Sequence, residues 1–141
     1  MSSVAIRTPR NDSVQAGLEI IVADALRREL LRRDGTALSE DPARADLVVS
    51  GRILPARTTA QSFSSAILAR EHEVTLALAL EATRRDGTKI EIAGEPMRET
   101  ERYLASADVE AQRKNREEAL RRLAGLLATR FFDAVGEGVA P

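Results

Sequence analysis

The chain has 141 residues, 43% of them hydrophobic and 30% charged, which fits a single globular domain over 1–141 and excludes the low-hydrophobicity class that stays disordered. Twenty-one basic and twenty-two acidic residues leave a net charge of -1, so no long-range field draws the whole protein to nucleic acid or to an anionic membrane. The absence of Cys excludes disulfides, thiolate nucleophiles and Cys-ligated zinc, and no apolar run reaches the roughly 20 residues of a membrane-spanning helix.

Val4 and Ile6 alternate with Ala5 and Arg7 before Pro9 and predict a short first strand. Asn11-Asp12-Ser13 then marks a helix start, with Asp12 and Gln15 spaced as a capping box. Leu18, Ile21, Val22, Ala25, Leu26 and Leu30 form one stripe of that helix. Arg27, Arg28, Arg32 and Arg33 gather near its end, where cations suit the helix dipole, and Gly35 stops it. Gly17 falls inside this predicted helix at a cost of about 1 kcal/mol relative to Ala. A polar link through Ser39, Glu40, Asp41 and Pro42 leads to a second strand over 46–54, with Leu47, Val49 and Ile53 on the core face and Ser50 and Arg52 facing out. Strand, helix and strand in that order make a right-handed parallel crossover where the two strands are neighbours. The Ser-, Thr- and Ala-rich stretch 58–65 reads as a mobile loop, and the sequence leaves the order of 56–70 open.

A hairpin follows over 71–102. Val74, Leu76, Leu78 and Leu80 fall on one face by period-two alternation, and Glu73, Thr75, Ala77, Ala79 and Glu81 fall on the other. A two-residue turn at Asp86-Gly87 would set Ile90 and Ile92 on the polar face, because a one-residue slip exchanges the faces. A three-residue loop, Arg85-Asp86-Gly87, instead sets Ile90 opposite Ala82 and Ile92 opposite Leu80, with Gly87 left-handed. The second arm breaks at Gly94 and Pro96, which predicts a ragged edge strand running to Tyr103. A final helix starts near Ser106 and runs to Phe132 or slightly beyond, where Gly136 ends it. Leu120, Leu123, Ala124, Leu127, Phe131 and Ala134 form its apolar stripe, and Arg113, Lys114, Arg116, Glu117, Glu118, Arg121 and Arg122 fill the other side. The expected fold is α+β: a mixed four-stranded sheet with two helices packed on one face, in the order β-α-β-β-β-α.

No catalytic motif stands out. G-x-S-x-G, G-K-[ST], H-E-x-x-H and G-x-G-x-x-G are all absent. His72, the one histidine, sits in phase with Val74 and reads as a strand residue; an enzyme built on Glu71, His72 and Glu73 is the weakest of the functional readings. Glu71, Glu73, Glu91 and Glu95 lie mostly on the solvent face, and the arginine pairs are interleaved with acidic residues as solvated faces are. Four aromatics, Phe63, Tyr103, Phe131 and Phe132, are too few to stack single-stranded nucleic acid. No catalytic residue, metal or small-molecule cofactor is therefore expected. The small outward residues Thr75, Ala77 and Ala79 allow another backbone to approach and mark a candidate partner interface.

In order and spacing these segments resemble the LptE family of lipopolysaccharide-assembly lipoproteins. The opening Val4-Ala5-Ile6-Arg7-Thr8-Pro9-Arg10-Asn11 with Gly17-Leu18-Glu19 is similar to the family's first strand and helix entry, and Ala45-Asp46-Leu47-Val48-Val49-Ser50-Gly51-Arg52-Ile53 to its second strand. Arg70-Glu71-His72-Glu73-Val74 resembles its third-strand start, Glu101-Arg102-Tyr103 the tyrosine after the fourth, and Glu118-Ala119-Leu120-Arg121-Arg122-Leu123-Ala124 the closing helix. The resemblance implies a non-enzymatic protein that plugs and supports an LptD-type outer-membrane β-barrel and binds lipopolysaccharide. It places that protein on the periplasmic side of the outer membrane, held in its full-length form by an acylated Cys; this sequence contains neither that Cys nor a signal peptide, and it leaves open whether a lipobox Cys lies upstream of Met1. Lipid A phosphates call for Arg or Lys at close quarters, and Arg113, Lys114 and Arg70 are the candidates. The alternative is a periplasmic lipid or small-molecule binding protein that works alone, which an enclosed apolar cavity between sheet and helices would favour.

Overall fold

The computed structural model describes residues 2–55, 59–64, 67–92 and 96–139; for 59–64, 67–70 and 137–139 it describes the backbone alone. Ten elements follow one another: β1 (Ser2–Ile6), β2 (Arg10–Asn11), α1 (Leu18–Arg32), β3 (Thr36–Ser39), β4 (Leu47–Ile53), β5 (Thr59–Ser64), β6 (Ile67–Arg84), β7 (Lys89–Ile90), β8 (Met97–Leu104) and α2 (Val109–Val139). They form one mixed sheet carrying two helices. β3, β1 and β4 run parallel, with β1 in the middle, and β4 pairs antiparallel with β6. β6 spans 18 residues and also holds β5, β7 and β8 antiparallel.

The α+β class is as expected, but the sheet has eight strand segments where four were predicted. Buried Pro9 separates β1 from β2, which continues along β4 at Arg10↔Arg52 and Asn11↔Ile53. Proline has no N–H for the ladder, so the strand divides there. β3 was not predicted, only its last residue, Ser39, having been read as the start of a polar link, and most of the supposed mobile loop is β5; Thr58 and Ser65 themselves lie outside the described residues.

α1 starts five residues after the predicted Ser13, and Gly17 precedes it at φ 83° instead of lying inside it. The Asp12–Gln15 capping box does not form, because Asp12 is held between the guanidiniums of Arg10 at 2.9 Å and Arg52 at 3.3 Å. Asn11 organises the turn instead: its Oδ1 accepts the Ser13 N–H, and its Nδ2 donates to the Gln15 carbonyl and to Glu19. At the other end of the chain, Asp108 caps α2 by accepting the Glu110 N–H at 2.9 Å. α2 then continues past Gly136 to Val139, contrary to expectation. Phe132 and Val135, each 6% exposed, keep that turn on the core, and their burial outweighs the roughly 1 kcal/mol that Gly costs a helix.

The hairpin turn has the predicted three residues. The Arg84 N–H donates to the Thr88 carbonyl, Gly87 takes φ 93°, and Ala82 faces Ile90. The ladder stops at Ile90, so Ile92 packs at the edge of the core without pairing with Leu80. When pairing resumes in β8, Leu78 meets Met97 where the turn register would have brought Gly94. The extra chain is taken up across 91–96, at the predicted break; Gly94 itself is outside the described residues. Among the described residues β8 pairs with β6 alone and is an edge strand.

Val4, Val49, Ile53, Val74, Leu76, Leu78 and Leu80 bury one sheet face against Leu18, Val22, Leu26 and Leu30 of α1 and Leu120, Leu123, Leu127 and Phe131 of α2. Ion pairs fasten the rim. Arg122 reaches Glu101 and Arg130 reaches Glu99, each at 2.9 Å, tying α2 to β8.

Candidate functional site

Among the described residues no helix covers the opposite sheet face. Register places Arg98 opposite Ala77, Thr100 opposite Thr75 and Arg52 opposite Ala79. The hydroxyls of Thr75 and Thr100 bond across the strands at 2.8 Å. Ala77 is 1% exposed, while Thr75 and Ala79 are half-buried, so the surface of the expected partner interface comes from Thr75 and Ala79. Arg10, Arg52, Ala79, Glu81 and Lys89 line a cleft of about 460 Å³ near this face. Its cations are already matched: Arg10 and Arg52 share Asp12, and Lys89 meets Glu81 at 3.1 Å. The hydrogen bond from Arg10, chiefly, holds the Asp12 carboxyl below its ordinary value.

The candidate phosphate ligands are spread over two elements. Arg113 stands in the second turn of α2, exposed, and is gripped by Glu110 at 3.0 Å and Glu117 at 2.6 Å. Lys114 is exposed beside it and forms no ion pair with a described residue. Arg70 lies in β6, with its side chain outside the described residues.

Arg116 was assigned to the solvated side of α2 and is half-buried instead. It precedes Leu120 by four residues and Leu123 by seven, so a lone cation in phase with the apolar stripe was the sequence signal. His72 stacks on Tyr103 with ring centroids 5.4 Å apart and planes inclined by 18°. Alternation sends Glu71 and Glu73 to the face opposite His72, so the three do not converge on a common point. Among the described residues no group of three His, Cys, Asp or Glu side chains could hold a metal ion.

The model of the lipopolysaccharide-assembly family LptE matches residues 1–135. The chain belongs to the LptE family. No curated protein sequence matches it. Solved structures that share this chain's fold include three lipoproteins. A putative lipoprotein from Caulobacter crescentus superposes with a TM-score of 0.64 at 12% identity, covering 95% of this chain and 92% of that one. A minor lipoprotein from Acinetobacter baumannii gives 0.61 at 18%, covering 99% and 96%. The rare lipoprotein B from Shewanella oneidensis gives 0.58 at 11%, covering 96% and 94%. At these identities the likeness establishes fold, while family membership carries the role in lipopolysaccharide assembly. LptE is a non-enzymatic lipoprotein family. Among the described residues no helix is long and apolar enough to cross a membrane.

Proposed function

We propose that this LptE chain plugs and supports an LptD-type β-barrel on the periplasmic side of the outer membrane and binds lipopolysaccharide there. The observation that carries this reading is the family match over residues 1–135. Thr75, Ala77 and Ala79 mark the sheet face offered to the barrel wall, and Arg113, Lys114 and Arg70 are the cations offered to lipid A phosphates. The packing supports a plug. Phe131, Leu127 and Ile53 are 0% exposed at the centre of the layer between sheet and helices, where a carrier would keep its cavity. An apolar cleft of about 420 Å³, lined by Val4, Leu30, Leu47, Val49, Phe132 and Val135, does lie between the layers, with Arg33 and Asp34 also in its walls. It falls within the ~300–1,000 Å³ range of small-molecule sites and is the observation in favour of the carrier alternative. Co-expression with the barrel protein of the same genome, followed by detergent extraction, tests the proposal. A stoichiometric complex is expected, and clean failure to co-purify would sink it.

A further inference from the structure

The margin of the sheet at β3 is uncharged and unguarded. Thr36-Ala37-Leu38-Ser39 holds neither a charge nor a proline, whereas the edge strand β8 carries Arg98, Glu99, Glu101 and Arg102, the usual protection of an edge that faces water. Pairing with β1 uses only one side of β3. The Ser2 N–H donates to the Gly35 carbonyl, and the parallel register then commits the main-chain groups of Ala37 and the Ser39 N–H to β1. The N–H and C=O of Thr36 and Leu38 point the other way, and among the described residues they have no partner. Both ends of this edge are held in place. The Thr36 hydroxyl donates to the Leu30 and Arg33 carbonyls at 3.1 and 3.0 Å, and Ser39 Oγ accepts the Asp41 N–H at 3.2 Å. The strand is therefore extended before any ligand arrives.

An apolar flank stands above this margin. Arg33 reaches Asp133 of α2, and Leu31 lies about 160° round the helix from Arg33, on the side of α1 away from α2. Leu31 and Ile20, about three turns apart on that flank, are 69% and 61% exposed. Acidic residues bracket the edge. Asp34 and Glu40 are exposed, form no ion pair with a described residue, and lie at most about 20 Å apart along the chain. A second copy pairing antiparallel through the same edge would set Asp34 opposite Glu40, a like-charge contact that disfavours self-pairing.

We propose that the outer edge of β3 takes up an extended segment of another polypeptide, uncharged at its centre and basic at both ends, as an added strand. Its main chain pairs with Thr36 and Leu38, its apolar side chains lie against Leu31 and Ile20, and its two cations meet Asp34 and Glu40. This edge is separate from the open sheet face offered to the barrel.

The probe is the synthetic peptide Lys-Thr-Val-Thr-Val-Thr-Lys, blocked at both ends and added to the ¹⁵N-labelled full chain. Saturable shifts of the Thr36 and Leu38 amides are expected. At saturation their hydrogen exchange should slow at least about tenfold, while Ala37 and Ser39, already paired, keep their rates. The same peptide N-methylated at every central residue keeps its charges but has no ladder donors, and should bind at least about tenfold more weakly. Unmoved Thr36 and Leu38 amides, or equal binding of the methylated peptide, overturn the added strand; these readouts use the wild-type chain and need no variant. Asp34→Asn combined with Glu40→Gln should weaken the unmodified peptide about fivefold at low salt, and unchanged affinity overturns the basic-ended partner. If both amides shift with protein concentration alone and sedimentation shows a dimer, the occupant is a second copy and the proposal falls. Failure of the barrel to co-purify would remove the plug reading and leave every one of these expected results in place.

Discussion

At Gly51 the backbone of β4 takes φ 153° directly beside β6, and a Cβ built there would overlap the carbonyl oxygen of Ala79 and crowd the Leu80 Cα. These contacts are backbone, with no flexible side chain to swing away. Gly51→Ala combines backbone strain with overpacking, each worth about 1–3 kcal/mol, so we expect a loss of about 3 kcal/mol. Urea unfolding followed by circular dichroism should show a lower midpoint at unchanged slope; a midpoint equal to wild type would refute the argument. The sequence carried a trace of this constraint, since Leu47, Val49 and Ile53 fill their face at every second position except Gly51. Gly87 was legible because turn geometry is local. Gly17 was not. Its left-handed φ matters only because the turn around Asn11 ends there, and that turn depends on Asp12 being drawn away to Arg52 on another strand.

Between elements, the clasp joining α1 to α2 is ionic at its rim. Glu29 is 6% exposed, meets Arg32 at 2.6 Å and Arg33 at 2.9 Å, and Arg33 continues to Asp133 at 2.7 Å while lying 5.9 Å above the Phe132 ring. Burial pushes the Glu29 carboxyl up, but hydrogen bonds from Arg32 and Arg33 outweigh it and leave the group below its ordinary value. A depressed carboxyl stabilises the fold fully above its unfolded pKa of about 4.3, and that stabilisation fades as pH falls through the lower folded value. Glu29→Gln is therefore expected to lose about 1–2 kcal/mol at pH 7, with the gap to wild type narrowing below about pH 4.3. Thermal melts across pH 7 to 3 check this, and a gap that widened on acidification would contradict it. The helices and the core arm of the hairpin were legible because each writes a burial period into the chain. β3 and β5 were not, because apolar alternation reports a buried face and says nothing about hydrogen-bond pairing. Thr36–Ser39 has one large apolar residue and is recruited by β1, while Thr59–Ser64 follows β6 to its Ile67 end, beyond Val74 where the buried alternation begins.

As a whole, the molecule is a sheet with one face closed by helices and the other open. Core residues explain the closed face. The open face alternates small residues with cations, and those cations are largely matched within the chain, so its design favours close approach of another surface over long-range attraction. Seating in a barrel should then shield this face first. The sequence contains no cysteine, so single-cysteine labelling reports one position at a time without background. Thr75→Cys and Ala79→Cys are expected to react with a polar maleimide in the isolated chain and to be slowed at least about tenfold in the complex with the barrel. Cysteine in place of Arg28, exposed on the outer side of α1, should react at similar rates in both. The reverse pattern, with Arg28→Cys shielded and the sheet positions open, would mean that the helices and not the uncovered sheet meet the barrel wall.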